Sequence, residues 1–300
     1  VFKPDRKFTN IYEVKLLSRI EKNAIHSVEL QKENTSQVLR KNQGVWNVLI
    51  DGDPFPADRN KVDEFLLKLL ELETKRFVTE NEERYKDFDL GPDENKIVLY
   101  DESGNVLEEI LVSTGENNQM EYVTTSGSAK VFAVENIFSF YINQDGPFWS
   151  DLTVFPDNLK DKEIIRIDIY ADNLQLKIEE DPVSVDYSIY KTTSENGNPI
   201  WKVEGNEDHA LQGGNVTSII NAFTGLRAER FSTEKRVDSG VYTAVAAVTT
   251  GDNEEYRLMV QQALDESSYE CRINKKEYAY VLKNWNLERI FKPLGALSTP

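Results

Sequence analysis

One passage occurs twice in this chain, and any fold must accommodate both copies. Residues 45–77 read as a strand, Val45-Trp46-Asn47-Val48-Leu49-Ile50, then a proline-rich turn, then a helix over 58–76 that ends on Lys75-Arg76-Phe77. The order returns as Ile200-Trp201-Lys202-Val203 and a helix from about Gly214 that ends on Glu229-Arg230-Phe231. Trp46 falls on Trp201. Val62, Phe65, Leu66, Leu69, Leu72, Arg76 and Phe77 fall on Val216, Ile219, Ile220, Phe223, Leu226, Arg230 and Phe231 at one shift. The strand Ile25 to Leu30 overlays Ile164 to Ile169. Gly104, Leu111, Tyr122, Val131 and Val134 overlay Gly251, Leu258, Tyr269, Tyr278 and Val281, and the terminal helix 136–142 overlays 283–291. Self-similarity that keeps helix face, turn and tryptophan in order implies a duplicated unit.

The local patterns place elements within each unit. Ile11, Val14, Leu16, Leu17 and Ile20 fit a short amphipathic helix near the start. Residues 25–30, 36–40 and 45–50 are short runs split by turn residues, as in a strand meander. Asp58 is a natural N-cap for a helix with Val62, Phe65, Leu66 and Leu69 on one face. Residues 81–95 read as a loop. Two hairpins follow, around 101–105 and 126–128, and a short apolar helix over 137–142 ends the unit. The second unit adds an insertion over 181–198 and starts its helix at Gln212-Gly213-Gly214, a looser start than Asp58 provides. Duplicated hairpins without a Gly-rich βαβ crossover predict an α+β protein. Its two tandem repeats would each be a curved antiparallel sheet packed on an amphipathic helix. The expected divisions are a lead over 1–24, repeats over 25–145 and 164–291, a packed connector over 146–163 and a tail over 292–300.

Composition narrows the function. The chain has 52 acidic against 35 basic residues, a formal charge of −17, which repels a phosphate backbone, so nucleic acid is not the expected partner. Apolar residues make up 39% and aromatics 10%, enough for folded structure throughout. The single cysteine, Cys271, excludes an internal disulfide and every multi-cysteine metal site, and reads as a small apolar strand residue. No run of 18 apolar residues is present. The first residue is Val1 and not methionine, so a leader or anchor ahead of it is expected.

Catalytic patterns are missing from the sequence. His26 and His209 stand apart, with neither a His-Glu-x-x-His nor a Gly-x-Ser-x-Gly motif, so no enzyme, cofactor or resident metal is expected. The least favoured alternative is carboxylate or calcium chemistry at Asp51 and Asp53, where a polar turn before the helix is the simpler reading. Trp46 and Trp201 read as plugs between sheet and helix, and Arg76 and Arg230 as cations at helix C-termini. Function is expected where the copies differ. Trp149 in the connector and Tyr187 and Tyr190 in the insertion form the candidate partner or ligand surface.

The order of Trp strand, Asp-capped leucine-rich helix, Arg-Phe, the loop Asp89-Leu90-Gly91-Pro92 and paired hairpins resembles a bacterial family of tandem-repeat domains of unknown function. The loop departs from that family's Gly-Leu-x-x-Pro type in its order. The resemblance implies an extracytoplasmic protein, periplasmic or at the cell surface, held by one N-terminal membrane helix and encoded beside gliding-motility-type ABC transporter components. The expectation is a non-enzymatic accessory protein that binds envelope partners, possible transporter components among them. A small-ligand or saccharide module using the groove between the repeats is the alternative.

Overall fold

The structure is a computed structural model. It describes residues 15–298 apart from 34, 92–94, 114–119, 136–137, 178–179 and 234–239. The chain divides into two compact units, Val1–Asp151 and Leu152–Pro300, so residues of the expected connector fall in both.

The first unit contains the strands β1 (Ser27–Lys32), β2 (Thr35–Asn42), β3 (Val45–Ile50) and β4 (Asp53–Pro56), then helix α1 (Arg59–Leu70) and β5 (Arg76–Thr79). It continues with β6 (Lys96–Tyr100), β7 (Val106–Val112), β8 (Met120–Thr125), β9 (Ser128–Glu135), α2 (Phe138–Ile142) and α3 (Gly146–Trp149). The strands make one antiparallel sheet in the order β4-β3-β2-β1-β6-β7-β8-β9-β5. The turns are legible in their residues. Gln43-Gly44 and Asp51-Gly52 both hold positive φ at their two central positions, the geometry that two-residue hairpins require. Asp58 caps α1 through Oδ1, which accepts the N–H groups of Asn60 and Lys61 at 3.1 and 3.3 Å. Val62, Phe65, Leu66 and Leu69 of α1 are buried with Val28, Leu30, Leu39 and Val48, which alternate along the sheet.

The second unit contains β10 (Ile164–Leu174), β11 (Val183–Thr193), β12 (Pro199–Val203), α4 (Gly213–Thr224) and β13 (Arg230–Phe231). After these come β14 (Ala244–Thr250), β15 (Glu255–Asp265), β16 (Ser268–Ile273), β17 (Tyr280–Lys283) and α5 (Asn284–Glu288). Its antiparallel sheet runs β12-β11-β10-β14-β15-β16-β17-β13. Element by element this is the order of the first sheet without a counterpart of β4. Val216, Ile219 and Phe223 supply the buried face of α4. Gln212 at its N-cap makes no side-chain capping bond.

Five expectations change. The helices stop at Leu70 and Thr224. Arg76 and Arg230 therefore open the strands β5 and β13, and have no helix terminus to neutralise. Phe77 pairs with Phe132 across the ladder, and Phe231 with Tyr280, with ring centroids 6.1 and 5.2 Å apart. The helical spacing of apolar residues continues past the helix end through Leu72, which remains buried. Second, residues 15–24 form a bridge from Lys15 to Glu73, a turn and a 3-10 segment Lys22–Ala24, where an amphipathic helix was expected. Leu16 N–H donates to Leu72 O at 3.1 Å, which ties this stretch to the chain leaving α1. Ile11 and Val14 lie outside the described residues. Third, the loop over 81–95 contains a 3-10 segment, Glu82–Phe88, capped by the Asn81 side chain.

Fourth, residues 181–198 do not form a separate insert: they are mostly β11, which holds the place of β2 and lengthens the hairpin before Trp201, at 11 residues against 8. Fifth, the hairpin overlay is one residue out. Ile110 is buried opposite Ile97, as Leu258 is buried opposite Ala246, whereas Leu111 is only half-buried. A one-residue slip exchanges the faces of a strand, and two apolar neighbours, Ile110 and Leu111, hid it.

Asp58→Ala should destabilise the first unit by about 1 kcal/mol, the usual worth of an N-cap side chain. Gln212→Ala, which removes no capping bond, should shift the denaturation midpoint far less.

Candidate functional site

The face of the first sheet opposite α1 carries a cleft of about 730 Å³. Strand pairing builds it. Ser27 sits between Arg40 and Tyr100 on its two neighbours, and Glu29 lies one pleat further along. The β2–β3 turn at Gln43-Gly44 forms one wall, and the β6–β7 turn over 101–104 forms the other. Asp101 fixes that second turn, its Oδ1 accepting Asn105 N–H at 2.8 Å.

Tyr100 donates its hydroxyl to Glu29 Oε2 at 2.9 Å. Burial first, and then this carboxylate, push the Tyr100 phenol up to about 12. Lys41 donates to Ile25 O at 2.9 Å and lies 4.9 Å from the Trp46 ring centroid. Burial, reinforced by Lys22, lowers its ammonium pKa. His26 Nε2 stands 3.9 Å from Glu102 Oε1. Arg40 is exposed and forms no ion pair among the described residues. The cleft thus offers one open guanidinium, an imidazole and a phenol–carboxylate pair, a set suited to recognising polar groups. Sequence reading singled out none of Glu29, Arg40 and Tyr100. They occupy alternate, outward positions of three strands, and only the pairing register brings them together.

The sequence candidates are scattered by the fold. Trp149 is fully buried in the first unit, packed against Phe65, Tyr141 and Phe148 with centroids 5.6, 5.8 and 5.0 Å away. Its carbonyl accepts Asp58 N–H at 2.7 Å, so it secures the start of α1 and offers no ring to a ligand. Tyr187 and Tyr190 are three residues apart on one strand and therefore face opposite sides of the second sheet. Tyr187 is buried on the core side, where it donates to Lys292 O at 2.9 Å, and burial raises its pKa. Tyr190 is half-buried on the outer side, paired with Arg166 and Lys202 of the adjacent strands; burial and then Glu207 raise its pKa. No common stacking surface joins these residues.

The outer face around Tyr190 is occupied by ion pairs. Arg166 binds Asp168 at 2.9 Å and Glu204 at 2.6 Å, and both carboxylates raise its pKa. Asp51 lies in the β3–β4 turn and Asp53 begins β4. Among the described residues no three His, Cys, Asp or Glu side chains converge to hold a metal. Trp46 is buried as expected of a plug, while Trp201 is half-buried. Cys271 is buried, which raises its thiol pKa.

Fold and cleft define a class, an antiparallel α+β protein of two units whose concave surface is polar. The chain belongs to a family of domains of unknown function, DUF4340, whose model matches residues 46–258, from β3 to β15. No curated protein and no solved structure matches it.

The raised phenol gives a pH test. Tyr100 stays protonated in the folded state after an unfolded tyrosine, near pH 10, begins to ionise, so its contribution to stability is present below pH 10 and lost as pH rises toward about 12. Ultraviolet titration should show one phenol with a midpoint near 12 that disappears in Tyr100→Phe and moves down in Glu29→Gln.

Proposed function

We propose that this chain is a non-enzymatic accessory protein that binds protein partners at the cell envelope. In the full-length protein an N-terminal anchor would hold it in the membrane on the extracytoplasmic side. The partners would include components of a gliding-motility-type ABC transporter. The resemblance noted above supplies location and partners. Among the described residues no helix is long and apolar enough to cross a membrane.

The observation that carries partner binding is an exposed aromatic corner in the first unit. Phe140 on α2 is 55% exposed, and its ring meets Phe148 on α3 edge-on at 5.7 Å. Phe148 in turn rests on the buried Trp149. A ring held rigidly at the surface by a packed aromatic cluster loses little entropy on binding, and such residues dominate protein interfaces.

The same reading includes a tandem duplication, supported by paired details within each unit. Both sheets share one strand order. Trp46 lies opposite Lys41, and Trp201 opposite Lys191. Each long helix starts against a late segment of its own unit, through the bridges Ala57 to Ser150 and Leu211 to Ser298. The stretch after each helix bridges back at Glu73 to Lys15 and at Arg227 to Thr153.

A second reading, small-ligand or saccharide binding, draws on the polar cleft around Arg40 and Tyr100. The two readings separate experimentally. A benzophenone amino acid at Phe140 should form discrete crosslinks to membrane-associated protein in cells, and the same probe at exposed Glu195 should not. Equal crosslinking at both positions, or none, would count against partner binding. A rise in melting temperature with saccharides that Arg40→Ala abolishes would favour the second reading.

A further inference from the structure

The first sheet holds a second concavity, of about 400 Å³. The 3-10 segment Glu82–Phe88 contributes Glu82 and Tyr85 to it, β7 contributes Glu109 and Leu111, and the β8–β9 turn at Ser126-Gly127 completes the lining. Strand register ties it to the cleft around Arg40. Glu29 of the cleft lies opposite Val98, and Val98 lies opposite Glu109, so the three form one cross-strand row on the outer face. Glu29 and Glu109 are two strand spacings apart, about 10 Å, and the floor between them is Val98, 3% exposed. Behind burial and Glu29, the Glu109 carboxylate also raises the Tyr100 phenol, so its charge is felt in the cleft. From Arg40 on β2 to Thr124 on β8 the face crosses four spacings, about 19 Å.

The chemistry of this strip selects its occupant. The two linings hold five carboxylates against Arg40 and Lys41, and Lys41 is already bonded to Ile25 O. A polyanion is repelled. The carboxylates are also partly satisfied: Glu29 accepts the Tyr100 hydroxyl, Glu109 stands 3.5 Å from Lys96, and Asp101 accepts Asn105 N–H. What they retain is acceptor capacity suited to a neutral O–H, more than an uncompensated charge that calls for a cation. Apart from the tyrosines, the apolar side chains in the linings are Val38, Leu111 and Ala129, too little for the anchor that a peptide interface needs. Tyr100 and Tyr85, both half-buried, each present an aromatic body with a polar tip, one in each concavity. Rings set beside hydroxyl acceptors along a polar strip match a sugar chain, whose units pair an apolar C–H face with a hydroxyl edge.

We propose that this face binds a linear, uncharged oligosaccharide lying across the strands. One end is held at Arg40 and Tyr100, the other at Tyr85 and the β8–β9 turn. The inference rests on the saccharide reading and adds to it the charge, length and direction of the ligand.

The probes are oligomers of glucose and of N-acetylglucosamine, from disaccharide to hexasaccharide, added to the whole chain while backbone amide shifts are recorded by NMR. The hexasaccharide of at least one series should move the amides of both Gly104 and Gly127, which sit in turns lining the two concavities, and the disaccharide that of Gly104 alone. Affinity should rise about tenfold or more with length. Tyr85→Ala should weaken the hexasaccharide by about three- to tenfold, the worth of one aromatic contact. Ala129→Trp, which fills the second concavity and leaves Tyr85 in place, should do the same. Equal affinity of disaccharide and hexasaccharide, with Gly127 unmoved, would overturn the proposal and leave the saccharide reading standing. No shift with either series at millimolar concentration would remove both. Equally tight binding of a galacturonate hexamer would assign the face to an acidic glycan, and displacement of the glycan by an uncharged peptide of equal length would assign it to a protein segment; either result would overturn the proposal.

Discussion

Each unit depends on the return of the chain to the far edge of its own sheet. After four strands in the first unit and three in the second, the chain leaves the sheet, forms a helix and comes back as β5 or β13 beside the last strand, β9 or β17. The helix must therefore cross the sheet face, and its apolar stripe is what makes that crossing favourable. A helix of 12 residues is about 18 Å long, whereas eight strand spacings from β4 to β5 span about 38 Å if flat. Extended residues after the helix and bending of the sheet must supply the difference. Register shifts in β5–β9, β6–β7 and β8–β9 provide places for that bend.

With the helix fixed across one face, the other face is left to outward-facing polar residues. In the first unit it holds Glu29, Arg40 and Tyr100 between two turns; in the second, the corresponding strands carry an internally neutralised network around Arg166. The proposed duplication gives this divergence a simple form. The positions that fold each unit are alike in character, Trp46 and Trp201 or Phe77 and Phe231. The outward positions and the edge beside β3 or β12 have changed. Asp58 has no capping counterpart in α4, and where β4 covers β3 the second unit has only the single bridge from Val203 to Asn206.

Much of the fold was legible in the residues. Period-two runs, the Gln-Gly and Asp-Gly turns and the Asp58 cap each express a local physical preference, and the strands and long helices follow from them. The end of α1 was not legible, because Leu72 and Arg76 continue the helical spacing and only pairing with β9 makes 76–79 a strand. Nor was the role of Trp149. An aromatic connector residue can be surface or core, and contact with Phe65 and Tyr141 decides it. The cleft was invisible for a related reason: its members are separated by up to 78 positions, from His26 to Gly104, and meet only through strand register that one-residue ambiguities such as Ile110 and Leu111 conceal.

The closing strands are the point on which the whole account turns, and native-state hydrogen exchange addresses them directly. Lys75 and Glu229 donate their N–H groups to Ala133 O and Val281 O, each at 2.9 Å. If β5 and β13 close the sheets, these two amides should exchange only through the large openings that release the central strands. Exchange at the fast rate of a fraying helix end, independent of the stability of each unit, would contradict the closing strands and the architecture built on them.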